Sequence, residues 1–313
     1  MLKRALALTL SLLLLFLLIL VNAFFAASEI ADAQGDAGRL TVRFLWLGPQ
    51  VAEDKPGDAM ILTSPDGKVM VLDAGHPQAA EYVTAALDAL GVTRIDYLVA
   101  SHPHIDHIGG FPTLLSRYEV GAIYTSALTY EASAYYQAFL AAMADKGLSP
   151  ILLQEGDSFS FGEEVTVEVF NPPAEITYPD RYPEGATQFI NNQSLALKFT
   201  YGDSTILLAG DLYAGAEREV AERWGEALDC DVMKANHHGS NTSSSLAWRN
   251  AVSPQINVIT SDTIEDLNTA KKLAKDGQQM YHTLLDGCIR VSTPGDGTYA
   301  VLTEKDRTTT LFD

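Results

Sequence analysis

Apolar and polar residues follow two rhythms along this chain. Short apolar runs rich in β-branched residues predict strands, and apolar residues spaced three or four positions apart predict helices. The first half has predicted strands at residues 40–47, 59–63, 68–73 and 95–100, and predicted helices at residues 78–90 and 131–146. The second half has predicted strands at residues 165–170, 194–200, 205–209, 231–235, 256–260, 288–293 and 299–303, and predicted helices at residues 214–224 and 264–276. Two similar halves of this kind indicate two packed sheets with helices outside.

The first 27 residues have a different pattern. Lys3 and Arg4 precede an uncharged, leucine-rich run that continues to Ala27. Such a run is typical of a secretory signal peptide, and it is also long enough for an uncleaved membrane anchor. In either case we expect the remaining chain outside the cytoplasm, secreted or held at the cell surface. Residues 28–39 are predicted to be a linker to a single domain over residues 40–313.

One connection is too long for an ordinary turn. Residues 171–191 contain four prolines and three aromatic residues. Long loops of this kind in compact domains usually carry function. We therefore predict a substrate-binding loop or lid, with Tyr178 and Tyr182 as candidate contacts.

Charge and cysteine content narrow the choice of partners. The formal charge is −19, and no cluster of Lys or Arg is present that could follow a phosphate backbone. Tight binding of long nucleic acids is therefore disfavoured, although nucleic acid stays open as a substrate. The two cysteines, Cys230 and Cys288, could form a disulfide in an exported protein or remain free thiols.

Three of the seven histidines fall within six residues, directly after a predicted strand. The run contains His102, His104, Asp106 and His107. Alternate residues of an extended segment point the same way, so His102 and His104 can share one ion, while Asp106 and His107 can face a second. Imidazole and carboxylate ligands suit zinc, and also manganese or iron. We predict one or two divalent ions, with zinc as the first choice.

Such a cluster needs further ligands from distant strand ends. Asp211 follows an apolar strand, where its carboxylate could bridge two cations or cap the next helix. His237 and His238 follow another strand, and one could bind metal while the other donates a proton or holds a substrate oxyanion. Asp73 ends a third strand and is predicted to orient a metal-bound histidine. His76 and His282 have no partner in the sequence and are predicted to lie in turns or on the surface.

The motifs resemble those of a known superfamily. The segment Ser101-His102-Pro103-His104-Ile105-Asp106-His107 has the His-x-His-x-Asp-His pattern of the metallo-β-lactamase superfamily. Two further segments narrow the resemblance to the hydrolase domain of ComEC-type DNA-uptake competence proteins and their free-standing exported relatives. These segments are Asn191-Asn192-Gln193-Ser194-Leu195 and Asn236-His237-His238-Gly239-Ser240.

The resemblance implies an α/β fold, an αββα sandwich of two mixed sheets with the metals at the strand ends. It implies His102 and His104 on one ion, and Asp106, His107 and one of His237 and His238 on the other, with Asp211 bridging. We favour His238 as the ligand and His237 as the residue that faces the substrate. Asn191-Asn192 stands where many members supply a third histidine. The first ion is therefore expected to be weakly held, absent or exchangeable, with Asn192 near the substrate or behind the ligands.

The implied activity is metal-dependent hydrolysis by an activated water. The first hypothesis is a phosphodiesterase, with Asp106 and His237 as catalytic residues and a small-molecule or cell-envelope phosphodiester as substrate. An ester, lactone or thioester hydrolase is the alternative, because the fold alone does not choose the bond. A non-enzymatic exported binding protein that retains metal is the third. The segment Ser261-Asp262-Thr263-Ile264 departs from the competence proteins, so substrate contacts made there need not carry over.

Overall fold

The structure is a computed structural model that describes residues 29–49, 55–176 and 185–307. Within these residues the strands, in chain order, are β1 (Leu40–Phe44), β2 (Ala59–Thr63), β3 (Val69–Ala74), β4 (Arg94–Val99), β5 (Glu119–Thr125), β6 (Pro150–Leu152), β7 (Ser158–Phe161), β8 (Val165–Asn171), β9 (Ala196–Tyr201), β10 (Ser204–Ala209), β11 (Val232–Lys234), β12 (Ile256–Ile259), β13 (Gln279–His282), β14 (Ile289–Thr293) and β15 (Ala300–Thr303). The helices are α1 (Ala80–Ala89), α2 (Ile105–Ile108), α3 (Phe111–Arg117), α4 (Ala134–Asp145), α5 (Thr187–Asn192), α6 (Ala214–Trp224), α7 (Leu246–Val252), α8 (Leu267–Leu273) and α9 (Thr283–Asp286).

The strands form two mixed sheets. One has eight strands in the order β15-β14-β1-β2-β3-β4-β5-β6, and the other has seven in the order β13-β12-β11-β10-β9-β8-β7. Alternate residues of each strand face the partner sheet, as Leu40, Val42 and Phe44 do in β1. These residues share one buried cluster with side chains such as Val167 and Phe199 of the second sheet. The two sheets therefore pack face to face around a common core.

Helices cover the outer face of each sheet. Val83 of α1, Phe111 of α3 and Phe139 of α4 pack on the outside of the first sheet. Val220 of α6 and Trp248 of α7 pack on the outside of the second. The expected αββα sandwich of two mixed sheets is confirmed.

The parallel parts of the two sheets fix where chemistry can occur. β3, β4 and β5 run parallel in the first sheet, and β10 to β13 run parallel in the second. Loops that leave the carboxyl ends of parallel strands meet at one edge of a sheet. The predicted metal ligands lie in or just after such loops, so the fold brings distant segments to a common edge.

Parts of the sequence prediction need correction. The stretch predicted as a loop over residues 171–191 ends in helix α5, because Phe189 and Ile190 are buried against Leu128. Strands β5, β6, β7 and β13 were not predicted. The candidate contacts Tyr178 and Tyr182 lie outside the described residues.

The start of the described chain is attached to the first sheet. The predicted signal or anchor segment, residues 1–27, lies outside the described residues. No helix within the described ranges is long and apolar enough to cross a membrane. In the segment predicted as a linker, Asp36 is buried and pairs with Arg43 and Arg290, both at 2.8 Å. Burial alone would raise the pKa of Asp36, but the hydrogen bonds and charges of these two arginines lower it.

The cysteine alternatives are resolved by the structure. Cys230 is buried and Cys288 is half-buried, and both are free thiols. Burial raises the pKa of the Cys288 thiol to about 12. Burial also raises the pKa of the Cys230 thiol. Both thiols are therefore un-ionised near neutral pH.

Candidate metal centre

Asp211 lies at the centre of the site, although it is more than a hundred positions from the 102–107 cluster. Its Oδ2 is 3.3 Å from His107 Nε2, 3.4 Å from His238 Nε2, 3.9 Å from His237 Nε2 and 4.0 Å from His102 Nε2. Its other oxygen, Oδ1, is buried without a hydrogen-bond partner among the described residues. A carboxylate surrounded by imidazole nitrogens in this way can bridge two cations.

His107 is held in one orientation by Asp73. His107 Nδ1 lies 2.8 Å from Asp73 Oδ2, so Nδ1 carries the proton and donates it to the carboxylate. Asp73 also accepts hydrogen bonds from the amide and hydroxyl of Ser101, at 2.8 and 2.7 Å. The lone pair of His107 Nε2 therefore faces Asp211 and is available to a metal ion.

His238 is oriented in the same way by different partners. Its Nδ1 lies 3.1 Å from both Asp58 Oδ1 and the carbonyl oxygen of Thr260. Both groups accept hydrogen bonds, so Nδ1 carries the proton. Nε2 faces Asp106 Oδ2 and Asp211 Oδ2, each at 3.4 Å, and has no hydrogen-bond partner among the described residues. Asp106, His107, Asp211 and His238 therefore direct lone pairs at one position.

Asp58 supports this site, and the sequence analysis did not single it out. Ligand-capable atoms of Asp58, His107, Asp211 and His238 lie within 4.8 Å of one another. However, Asp58 Oδ1 accepts from His238, and Asp58 Oδ2 forms a fully buried ion pair with Lys234 Nζ at 2.6 Å. Burial alone would raise the pKa of Asp58, but the charge of Lys234 lowers it. Asp58 is therefore better placed to orient His238 than to bind metal.

A glycine allows Asp58 to approach the cluster. Gly57 has a φ of +82°, and a Cβ at this position would lie 1.7 Å from the carbonyl oxygen of Asp106. That carbonyl accepts a hydrogen bond from the amide of Asp58 at 3.1 Å. Because any side chain would separate the two segments, glycine is required here.

His102 and His104 form a second donor pair. His102 Nδ1 lies 3.0 Å from Ser101 Oγ, whose own proton goes to Asp73, so His102 donates and keeps its Nε2 lone pair. His102 Nε2 and His104 Nδ1 are 3.0 Å apart. Burial lowers the pKa of both histidines, which favours the neutral form that a metal requires.

The charges of the site also fit divalent cations. Burial alone would lower the pKa values of His107 and His238, but the charge of Asp211 raises both well above the usual value. The buried carboxylates of Asp106 and Asp211 thus demand positive charge between them. A divalent cation would supply it in place of the imidazole protons. The residues present fit one or two ions, with zinc and manganese both suited to imidazole and carboxylate donors.

The turn that carries the paired histidines is strained. His237 and His238 have φ values of 47° and 54°, in the left-handed region. Such a backbone costs roughly 1–2 kcal/mol for each residue and persists only where neighbours enforce it. Glu217, which is fully buried, accepts a hydrogen bond from Asn236 Nδ2 at 2.8 Å and two more from the amides of Ser244 and Ser245. Glu217 therefore fixes the start of this turn.

A cavity of about 510 Å³ opens over the candidate metal ligands. His237 borders it, stacks on the Tyr213 ring with centroids 4.8 Å apart, and is hydrogen-bonded to Thr242 through Nδ1. Burial lowers the pKa of His237 to about 4, so its ring is neutral near pH 7. A neutral ring disfavours the predicted role of His237 as proton donor.

The two neighbouring asparagines have different positions. Asn192, named from the sequence, is not among the described residues that line the cavity, and its Oδ1 accepts from the amide of Tyr213 at 3.3 Å. Asn191 borders the cavity and is fully buried. Because both residues are asparagines, neither provides a third imidazole ligand beside His102 and His104. His76 and His282 are buried rather than on the surface, and each caps a short helical turn.

Comparison with known proteins agrees with this geometry. The family model of the Metallo-beta-lactamase superfamily matches residues 52–176. Over these residues the chain therefore matches the metallo-beta-lactamase superfamily. The superfamily fold is generally that of metal-dependent hydrolases, and the chain has a candidate metal site of the corresponding kind.

Curated relatives include competence proteins. "Competence protein ComA" of Neisseria gonorrhoeae is 29% identical over 202 residues, which are 64% of this chain and 25% of that protein. "ComE operon protein 3" of Bacillus subtilis (strain 168) is 25% identical over 220 residues, 65% of this chain and 27% of that protein. The chain spans about a quarter of the length of these relatives. Among solved structures, CmlA, a diiron beta-hydroxylase from Streptomyces venezuelae, is 13% identical with a TM-score of 0.49, covering 81% of this chain and 54% of that one.

Four residues of the site were given no individual role from the sequence: Asp58, Asn191, Glu217 and Lys234. Lys234 had the clearest signal, because a lysine inside an apolar strand is rarely buried without a charged partner. Asp58 directly precedes an apolar strand, as Asp73 ends one. For Glu217 and Asn191 no local pattern distinguishes a buried position from an exposed one.

Proposed function

We propose that this chain is an exported phosphodiesterase that requires one or two divalent metal ions. The observation that carries the proposal is the convergence of four imidazole nitrogens and the Asp106 carboxylate around Asp211 Oδ2, beneath a cavity open to substrate. Divalent ions bound there would activate water and draw charge from phosphoryl oxygens. Asp73 and Asp58 accept the Nδ1 protons of His107 and His238 and so aim the Nε2 atoms of both rings inward, and His237 faces the substrate.

The type of bond that the enzyme hydrolyses is inferred from the relatives of the chain and from its net charge. The motifs resemble those of DNA-uptake competence proteins, which supports a phosphodiester over an ester or lactone. The net charge of −19 disfavours long polyanions, so we propose a small or cell-envelope phosphodiester ahead of a long polynucleotide. Ester, lactone or thioester hydrolysis is the alternative to be separated by experiment.

A substrate panel tests the activity. The purified full chain, loaded with zinc or manganese, should hydrolyse bis-p-nitrophenyl phosphate faster than single-stranded DNA, a lactone or a thioester. Chelation should remove the activity, and added metal should restore it. The Asp106→Ala/His107→Ala double variant is the control for contaminating hydrolases. Turnover of the lactone or thioester alone would replace the proposal by the alternative. Rates that do not respond to metal, or equal those of the control, would indicate a binding protein.

Export is proposed from residues 1–27 alone. A fusion of these residues to alkaline phosphatase lacking its own signal should be active, because that enzyme requires the oxidising exterior. A fusion in which Leu12 and Leu13 are replaced by Arg is the control, since two charges interrupt the apolar run. N-terminal sequencing of the exported full chain would then distinguish cleavage from anchoring. An inactive fusion with normal protein levels would refute export.

A further inference from the structure

One wall of the cavity carries groups suited to an anion. Among the described residues that border the cavity, Lys55 is the sole lysine or arginine, and the carboxylates of Asp106 and Asp211 lie on the metal side. The chain as a whole is strongly acidic, with a formal charge of −19. An anionic substrate therefore needs a local positive charge to approach this site, and Lys55 is placed to supply it.

Lys55 is held by a partner that it can exchange. Its Nζ lies 3.1 Å from Glu265 Oε2, and the two side chains are 35% and 18% exposed. Glu265 belongs to the loop that follows β12, so the pair joins two segments at the rim of the cavity. Partly exposed ion pairs contribute little net stability. Lys55 can therefore turn from the carboxylate to a substrate anion at small cost.

Asn191 supplies a second polar group on the same cavity. Its side chain is fully buried, and both amide atoms lack a well-formed hydrogen bond to any described residue. The amide makes only weaker hydrogen-bonding contacts, with His104 and Tyr213, and these contacts affect the pKa values of both residues. A buried amide with such weak hydrogen bonds is poorly satisfied, and a ligand oxygen in the cavity would accept a better one from its N–H.

We propose that Lys55 and Asn191 form an anion subsite that binds the non-bridging oxygens of a phosphodiester, and that Glu265 competes with the substrate for Lys55. This inference rests on the proposed function and names two residues that determine its substrate class. Substrates with a negative charge next to the scissile bond are favoured, and neutral esters are not. Competition from Glu265 sets how tightly the anion is held.

Opposite effects of the two charged residues test the subsite. Lys55→Met should raise KM for bis-p-nitrophenyl phosphate about tenfold, as for loss of one charge-assisted hydrogen bond, and should raise KM more than it lowers kcat. Glu265→Gln should lower KM about threefold, because a carboxylate that competes with the substrate for Lys55 is removed. Asn191→Leu should also raise KM. None of the three should change the metal content of the protein, and Lys55→Arg should retain most of the wild-type KM.

The matched control is a surface pair away from the cavity. Lys68 lies 3.8 Å from Asp96, so Lys68→Met and Asp96→Asn repeat the charge changes elsewhere on the protein. If Lys55→Met behaves like Lys68→Met, or if Glu265→Gln raises KM, the subsite is refuted. Loss of metal in Asn191→Leu would instead make Asn191 a metal ligand and overturn its assigned role. Thermal unfolding of each variant checks that the fold is intact.

A binding measurement separates this inference from the proposed function. Calorimetric titration of inorganic phosphate into the metal-loaded full chain requires no turnover. Weaker phosphate binding by Lys55→Met without any phosphodiesterase activity would support the subsite and refute the function. Equal phosphate binding by wild type and Lys55→Met, with phosphodiesterase activity present, would refute the subsite and leave the function standing.

Discussion

Replacing Asp211 by Asn should lower kcat/KM for the metal-dependent reaction by about a thousandfold and reduce the bound metal. Asp211 Oδ2 lies within 4.0 Å of the Nε2 atoms of His102, His107, His237 and His238. A neutral amide keeps the shape of the side chain but removes the charge that the cations require. The effect on rate should therefore be much larger than the effect on folding.

The measurements for this variant are metal content by mass spectrometry, kcat/KM and thermal unfolding. Asp229→Asn is a matched control, because Asp229 is exposed and outside the site. It should retain both the metal and the rate. If Asp211→Asn binds as much metal as wild type and turns over at a similar rate, Asp211 does not hold the ions, and the proposed centre is wrong.

A helix or strand was predictable where its own residues show helical spacing or a continuous apolar run. Residues 214–224 have helical spacing throughout, and the structure has a helix over the same residues. The apolar run 205–209 became β10, one residue longer at its start. In contrast, β7 is only Ser-Phe-Ser-Phe, and β13 contacts the sheet along one edge only. Short strands of this kind are stabilised by pairing rather than by their own composition, so local patterns miss them.

The site was predictable to the extent that its residues are neighbours in the chain. His102 and His104 lie in the loop after β4, Asp106 and His107 lie in the helix α2 that follows it, and their spacing alone indicated a metal. Residues that orient the ligands are distant from them in the sequence, so spacing could not indicate them. His238 and Asp58, for example, are 180 positions apart.

Which of Asn191 and Asn192 faces the cavity depends on the rotation of helix α5 about its axis, and a shift of one residue would exchange them. Adjacent residues of a helix point about a hundred degrees apart, so only one of this pair can face the cavity. Burial of Phe189 and Ile190 in helix α5 sets that register. Tertiary packing therefore determines which asparagine faces the cavity, and no pattern within the motif could have predicted it.

Lys234→Met should lower the free energy of unfolding of the metal-free protein by about 3–5 kcal/mol, the usual cost of breaking a buried ion pair. Lys234 and Asp58 are fully buried, and the Lys234 ammonium also donates to the carbonyls of Ala209 and Ala235, both at 3.2 Å. Methionine fills a similar volume but leaves the Asp58 carboxylate with His238 as its remaining charged partner. Urea denaturation near pH 7 measures the change.

The dependence on pH follows from Asp58. Lys234 lowers the pKa of Asp58 from 3.8 in the wild type, so the stability from the ion pair is complete above about pH 3.8 and is lost as the pH falls towards the folded pKa. Without Lys234 that carboxyl can take up a proton on folding. The difference in stability between Lys234→Met and wild type should therefore narrow as the pH falls below this value.

The Asp58→Asn/Lys234→Met double variant separates stability from orientation of the ligand. It removes both buried charges, so it should regain most of the lost stability. An amide accepts a hydrogen bond from His238 more weakly than a carboxylate, so metal affinity should remain about 10–100-fold below wild type. A double variant as unstable as Lys234→Met would show that the loss comes from packing rather than from the unpaired charge. Normal metal affinity with restored stability would show that His238 is held without Asp58, and that Thr260 alone suffices to orient its ring.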